Sequence, residues 1–127
     1  MKDKSQNKRL FTATAIVFFI VVILCGCDSI FHKEKFDKNL LSGKWVSGTI
    51  YEYYDLSGTG YTWDTADDVT EEEAQHFSWT LEKNVLTQIH QMEMGGNIPK
   101  KYTVTKLNVS ILEYHDNYGK YYTFTKK

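Results

Sequence analysis

From Leu40 to the C-terminus, apolar and polar positions alternate with a period of two, in short runs separated by turn-forming residues. That period puts apolar side chains on one face of an extended strand, so the pattern predicts an all-β domain. The cleanest run is His76 to Glu82, with Phe77, Trp79 and Leu81 on one face and His76, Ser78, Thr80 and Glu82 on the other. Lys83-Asn84 turns it into Val85 to Met92. Upstream, Lys44 to Tyr54 reads as one long strand, with Trp45, Tyr51 and Tyr53 on one face and Ile50, Glu52 and Tyr54 on the other. Asp55 to Gly60 follows as a turn with two glycines free to take positive φ, leading into Tyr61 to Asp64, where Tyr61 and Trp63 share a face. Beyond the Gly95-Gly96-Asn97 break, Lys101 to Leu107, Val109 to Tyr114 and Lys120 to Thr125 complete a meander of seven strand runs. This spacing predicts a small antiparallel meander barrel or half-barrel.

The N-terminus follows a different pattern. Fifteen uncharged residues, Leu10 to Leu24, lie between a basic start (Lys2, Lys4, Lys8, Arg9) and the sequence Leu24-Cys25-Gly26-Cys27. This is the tripartite layout of a secretory signal peptide. Its Leu-x-Gly-Cys ending resembles a lipobox, where signal peptidase II cuts before a cysteine whose thiol carries diacylglycerol. The resemblance implies a signal peptide over residues 1–26, a lipidated Cys27 opening a polar tether over 27–39, and a β domain over 40–127. A transmembrane helix is the competing reading, but crossing a bilayer core takes about 20 apolar residues and this run is shorter. A plain secretory signal would leave Cys27 as an odd thiol in an oxidising compartment. The expected location is the cell envelope, membrane-anchored through the lipid, on the periplasmic or surface face of the outer membrane.

Removing the leader changes the charge balance. The chain has 15 basic and 16 acidic residues, of which residues 1–26 hold four and one, leaving 11 and 15 and a net charge of −4. A mildly acidic domain lacks the basic face that nucleic-acid binding requires. No cysteine follows Cys27, so the domain has neither a disulfide nor a thiolate metal site. About 100 residues must hold together by packing alone, and the nine Tyr and three Trp, all beyond the leader, supply the area.

Gly43-Lys44-Trp45, at the mouth of the first strand, is similar to the Gly-x-Trp that opens lipocalins and their calycin relatives. Leu41 to Trp45, Gly58-Thr-Gly60, Phe77-Ser-Trp79, Asn84 to Thr87 and Tyr122 to Lys126 further resemble short lipocalin-like lipoproteins of Bacteroidetes. The resemblance spans Leu40 to Lys127. It implies that Gly43 and Trp45 close the barrel floor, with Trp45 packed against an arginine near the last strand. The domain has no arginine, and Lys126 is the residue available for that place.

The alternation collects Trp45, Trp63, Phe77, Trp79, Leu81, Tyr102, Val104, Leu112, Tyr114, Tyr122 and Phe124 into one apolar set. Either these side chains fill a small barrel, or part of the set lines a cup for a small hydrophobic molecule. The candidate ligand-binding residues are Tyr53, Tyr61, Trp63, Phe77, Trp79, Tyr102, Tyr114 and Tyr122, since tyrosine offers an apolar ring and one orienting hydroxyl. Between Asp64 and Glu73 stand six carboxylates, without the glycine or the terminal glutamate of an EF-hand loop. Thr70-Glu71-Glu72-Glu73 reads instead as a capping box starting one short helix, a lid between two strands. His32, His76, His90 and His115 form no recognised metal spacing, and no nucleophile elbow or phosphate loop appears. The expected function is non-catalytic binding of a small, partly hydrophobic molecule, with no cofactor and no metal. The alternative is a structural module with a filled core that docks an envelope protein or glycan.

Overall fold

The computed structural model describes residues 34–127; the signal peptide, Cys27 and the first part of the tether lie outside the described residues. Eight antiparallel strands form a closed barrel in simple meander order. They are β1 (Gly43–Ser47), β2 (Ile50–Tyr54), β3 (Thr59–Asp64), β4 (Gln75–Glu82), β5 (Val85–Gln91), β6 (Asn97–Leu107), β7 (Ile111–His115) and β8 (Tyr121–Lys126). Closure comes from β1 pairing with β8, Trp45 opposite Lys126 and Val46 opposite Thr125. The half-barrel alternative is therefore excluded.

The eighth strand comes from the stretch expected as one, Lys44 to Tyr54. Gly48, at φ 59°, folds the chain back on itself with Thr49, so that Ser47 pairs with Ile50 and Trp45 with Glu52. Glycine takes that conformation without a Cβ penalty. The turn also reverses the expected facing: cross-strand partners share a face, so Trp45 goes with Ile50, Glu52 and Tyr54 rather than with Tyr51 and Tyr53. A second irregularity, a register shift between Val104 and Lys106 in β6, lets both Val104 and Leu107 point inward.

The closed end is filled. Leu41, Trp45, Tyr54, Phe77, Trp79, Leu86, Val104, Leu112 and Phe124 are all buried. A 3-10 turn over Lys38–Leu41 plugs the bottom, with Asp37 capping it through Asn39 N (2.9 Å) and Leu41 wholly buried. Trp45 Nε1 donates to Leu41 O at 2.7 Å, and Lys126 Nζ lies 5.1 Å from the centre of the Trp45 ring while donating to Leu40 O at 3.2 Å. Gly43, at φ 118°, is where that lysine passes: a Cβ there would meet Lys126 Cε at 2.8 Å. Packing begins ahead of Leu40, since Phe36 lies against the core and its N–H donates to Lys83 O at 3.1 Å.

The acidic segment does not form the expected helix. It makes two single 3-10 turns, Thr65–Asp67 and Glu71–Glu73. The expected capping box is present at the second turn, where Glu73 Oε2 accepts from Thr70 N at 3.2 Å and from Thr70 Oγ1 at 3.3 Å. The segment lies on the outside of β3, where Glu71 accepts from Lys44 Nζ (2.7 Å) and Tyr61 OH (3.0 Å). It is a strap on the barrel wall. Among the described residues no helix is long and apolar enough to cross a membrane.

Candidate functional site

Strand alternation after the Gly48 turn aims Ile50 and Glu52 of β2, Thr62 of β3, Gln88 and His90 of β5, Lys100 and Tyr102 of β6, Tyr114 of β7 and Tyr122 and Phe124 of β8 into one cavity of about 160 Å³. Lys100 is exposed at its mouth and Glu52, only 5 % exposed, lies at its floor. The cavity therefore runs down the upper half of the barrel and stops at the packed lower half.

The floor is a directed chain of hydrogen bonds. Tyr54 OH donates to Glu52 Oε2 at 2.6 Å and Tyr114 OH donates to Glu52 Oε1 at 2.8 Å. Gln88 Nε2 donates to Tyr54 OH at 2.6 Å, and Gln88 Oε1 lies 2.9 Å from His90 Nε2. An amide oxygen only accepts, so this contact is a hydrogen bond in the tautomer with the proton on Nε2. Its Nδ1 lies 3.2 Å from Gln75 Oε1, a second acceptor, so the neutral ring, with a single N–H, donates to one of the two amide oxygens. Among the described residues no buried polar side-chain atom lacks a partner.

Burial sets the protonation of this chain. It pushes the Glu52 carboxyl above its ordinary range, while Tyr54, Tyr114, Gln88 and the charge of Lys100 pull it back. Tyr54 and Tyr114 are pushed well above 10 by burial first and by the Glu52 charge second, so both stay protonated and donate. His90 is lowered from 6.5 to about 4, by burial and then by Lys100, and is neutral at physiological pH. Tyr102 is raised by burial and the Glu52 charge. A buried carboxylate with no ion pair is expensive to keep, and the two phenolic donors offset part of that cost.

The structure divides the expected ligand-binding residues into three groups. Tyr102, Tyr114 and Tyr122 line the cavity and pack on one another, with ring centres 4.4, 5.4 and 6.2 Å apart. Phe77 and Trp79 lie in the packed core: Phe77 meets the Tyr54 ring edge-on at 5.5 Å, and Trp79 Nε1 donates to Asp55 O and Thr59 O at the closed end. Tyr53, Tyr61 and Trp63 face outward. There they form a ladder with Tyr51, in which Tyr51 stacks on Trp63 at 4.8 Å and Tyr53 on Tyr61 at 4.9 Å. Lys44 lies over Trp63 and Lys127 over Tyr51. The expected single aromatic set is thus corrected: β3 turns its aromatics out and Gly60 and Thr62 in. Glu52, Gln88 and His90 were not among the expected residues. The usable signal was Gly48, which marks the turn that sends Glu52 inward.

No histidine–carboxylate grouping able to hold a metal occurs among the described residues. No protein-family model, curated protein or solved structure matches the chain. The class rests on geometry: a closed eight-strand antiparallel meander barrel of lipocalin-like architecture, packed in its lower half and hollow in its upper half.

Proposed function

We propose that this chain is a lipid-anchored protein of the cell envelope whose barrel binds a compact, partly apolar molecule without catalysis. The observation that carries the binding reading is the cavity above Glu52, an interior that a purely structural barrel of this size would fill with side chains. Its volume of about 160 Å³ is comparable with the roughly 150 Å³ of an engineered cavity that admits benzene. Sterols and porphyrins are too large for it. Tyr102, Tyr114, Tyr122 and Phe124 offer apolar walls, and Glu52 offers one fixed acceptor group. The anchor is inferred from the leader and Cys27, the membrane being the partner of the acyl chains.

A second reading, an envelope interaction module, draws on the outside of the barrel. Met92, Met94 and Ile98 are exposed on and beside the β5–β6 turn, and the Tyr51–Trp63 ladder lies along β2 and β3. The deciding experiment is a nuclear magnetic resonance screen of the full-length protein in detergent micelles against fragments of about six to ten non-hydrogen atoms. The binding reading expects saturable shifts at Glu52, Tyr102, Tyr114 and Tyr122. An unresponsive cavity across the whole library would leave the interaction module standing.

A further inference from the structure

We infer that the cavity takes a short zwitterionic molecule, its ammonium against Glu52 and its anionic group at the Lys100 rim, an inference that rests on the small-molecule reading above.

The floor is built for a positive group. An ionised carboxylate has about four lone-pair sites; Tyr54 and Tyr114 occupy one on each oxygen, leaving one on each for a ligand. The only ion pair among the described residues is Lys44–Glu71 on the outer wall, so Glu52 has no protein cation against it. Gln88 donates to Tyr54 and Tyr54 to Glu52, so the donors of the floor converge on the carboxyl group. Around that charge the rings of Tyr102, Tyr114 and Tyr122 stand close together, and aromatic faces attract an ammonium ion in a desolvated site.

The mouth has the opposite charge. Lys100 is exposed at the rim of the cavity, and Lys120 Nζ lies 5.0 Å from the centre of the Tyr122 ring. Asp116, in the β7–β8 turn, accepts from Tyr118 N and Lys120 N through Oδ1 at 2.9 Å each, and its charge also reaches Tyr102. A simple monocation would pass two lysines before reaching Glu52, and a simple anion would end against Glu52. A molecule with ammonium at one end and carboxylate at the other satisfies both. The cavity volume limits it to about six to nine non-hydrogen atoms.

The test titrates the full-length protein in detergent micelles with 4-aminobutanoate, butylamine, butanoate and uncharged pentan-1-ol, by calorimetry. The expected result is saturable binding of 4-aminobutanoate, at least about tenfold tighter than either singly charged probe, the scale of one charged hydrogen bond. Glu52→Gln should weaken 4-aminobutanoate and butylamine by about tenfold or more while butanoate, no longer facing a like charge, binds at least as well as before. Lys100→Gln, at an exposed position that does not endanger folding, should bring 4-aminobutanoate down to the level of butylamine. Pentan-1-ol binding as well as 4-aminobutanoate, or indifference to both substitutions, overturns the zwitterion while the small-molecule reading survives. Failure of all four probes overturns the zwitterion, and the fragment screen above then decides the small-molecule reading.

Discussion

Trp45 stands directly across the β1–β2 ladder from Glu52, so the indole that closes the barrel and the carboxylate that floors its cavity share one inner face. The pair marks the boundary between the two halves of the interior. Below it lie Leu41 and the Lys38–Leu41 plug, and above it the space ringed by tyrosines. Neither residue has freedom to move, since Trp45 is held through Leu41 O and Glu52 through two phenols.

Trp45→Ala should lose about 3–5 kcal/mol, the cost of a large cavity in a packed core. A domain of this size has about 5–10 kcal/mol in total, so the urea midpoint should fall by about a third or more. Lys126→Met keeps the aliphatic cover of the indole and removes the cation, so it should lose only about 0.5–1 kcal/mol. Equal losses for the two variants would contradict the assignment of Trp45 as the plug.

Glu52→Ala should be more damaging than Glu52→Gln. Alanine leaves the hydroxyls of Tyr54 and Tyr114 without their acceptor, at about 1–3 kcal/mol for each buried group. Glutamine keeps an oxygen for one of them. Denaturation of both variants by urea gives the order directly, and the reverse order would mean that the carboxylate is not what holds the two phenols.

Gly60→Ala should destabilise the barrel by about 1–3 kcal/mol, the range for forcing an extra methyl into a packed site. A Cβ at Gly60 would run into Tyr53 O, and would meet the Phe77 ring at 2.5 Å, leaving only the ring free to shift. A variant as stable as the parent would show that β3 does not face Gly60 inward, and Tyr61 and Trp63 would then need a different placement.

Stability should fall on acidification through the window set by His90. Its folded pKa is lowered from 6.5 to about 4, so between those values the unfolded chain binds the proton and the folded chain does not. Stability therefore rises with pH across the window and is fully present above 6.5. Glu52, raised above 4.5, contributes in the opposite sense, binding a proton more readily when folded. Urea denaturation of the parent and His90→Gln at a series of pH values separates the two, because Glu52 is common to both. The parent should show the steeper loss toward pH 4, and identical slopes would remove His90 as the cause.

Cys27→Ser should abolish uptake of labelled fatty acid and release the protein from the membrane fraction. A variant that keeps its leader and stays with the detergent phase would identify residues 10–24 as a membrane span instead.

Period-two alternation along β4 to β8 was enough to read the all-β class, the meander and the inward facing of Phe77, Trp79, Val104, Leu112, Tyr114 and Phe124. Those strands carry their own pattern, because the pleat alternates side chains regardless of what the strand packs against. Gly43 and Trp45 were legible as a barrel floor through a short local motif, and Tyr102, Tyr114 and Tyr122 were legible as lining. The facing of β2 and β3 was not. Tyr53, Tyr61 and Trp63 read as ligand-binding residues, yet the Gly48 turn shifts the parity by one and puts those rings, with Tyr51, on the outer face, where they cover one another and the stems of Lys44 and Lys127 cover them. The same shift carries Glu52 inside. Nothing local distinguishes a glutamate beside three tyrosines from a solvated one. Its role depends on Tyr114, 62 residues away, and on Tyr54, held by a Gln88 34 residues away. Only closure of the barrel brings those donors to the carboxylate, and only their meeting makes an interior charge stable enough to shape a site.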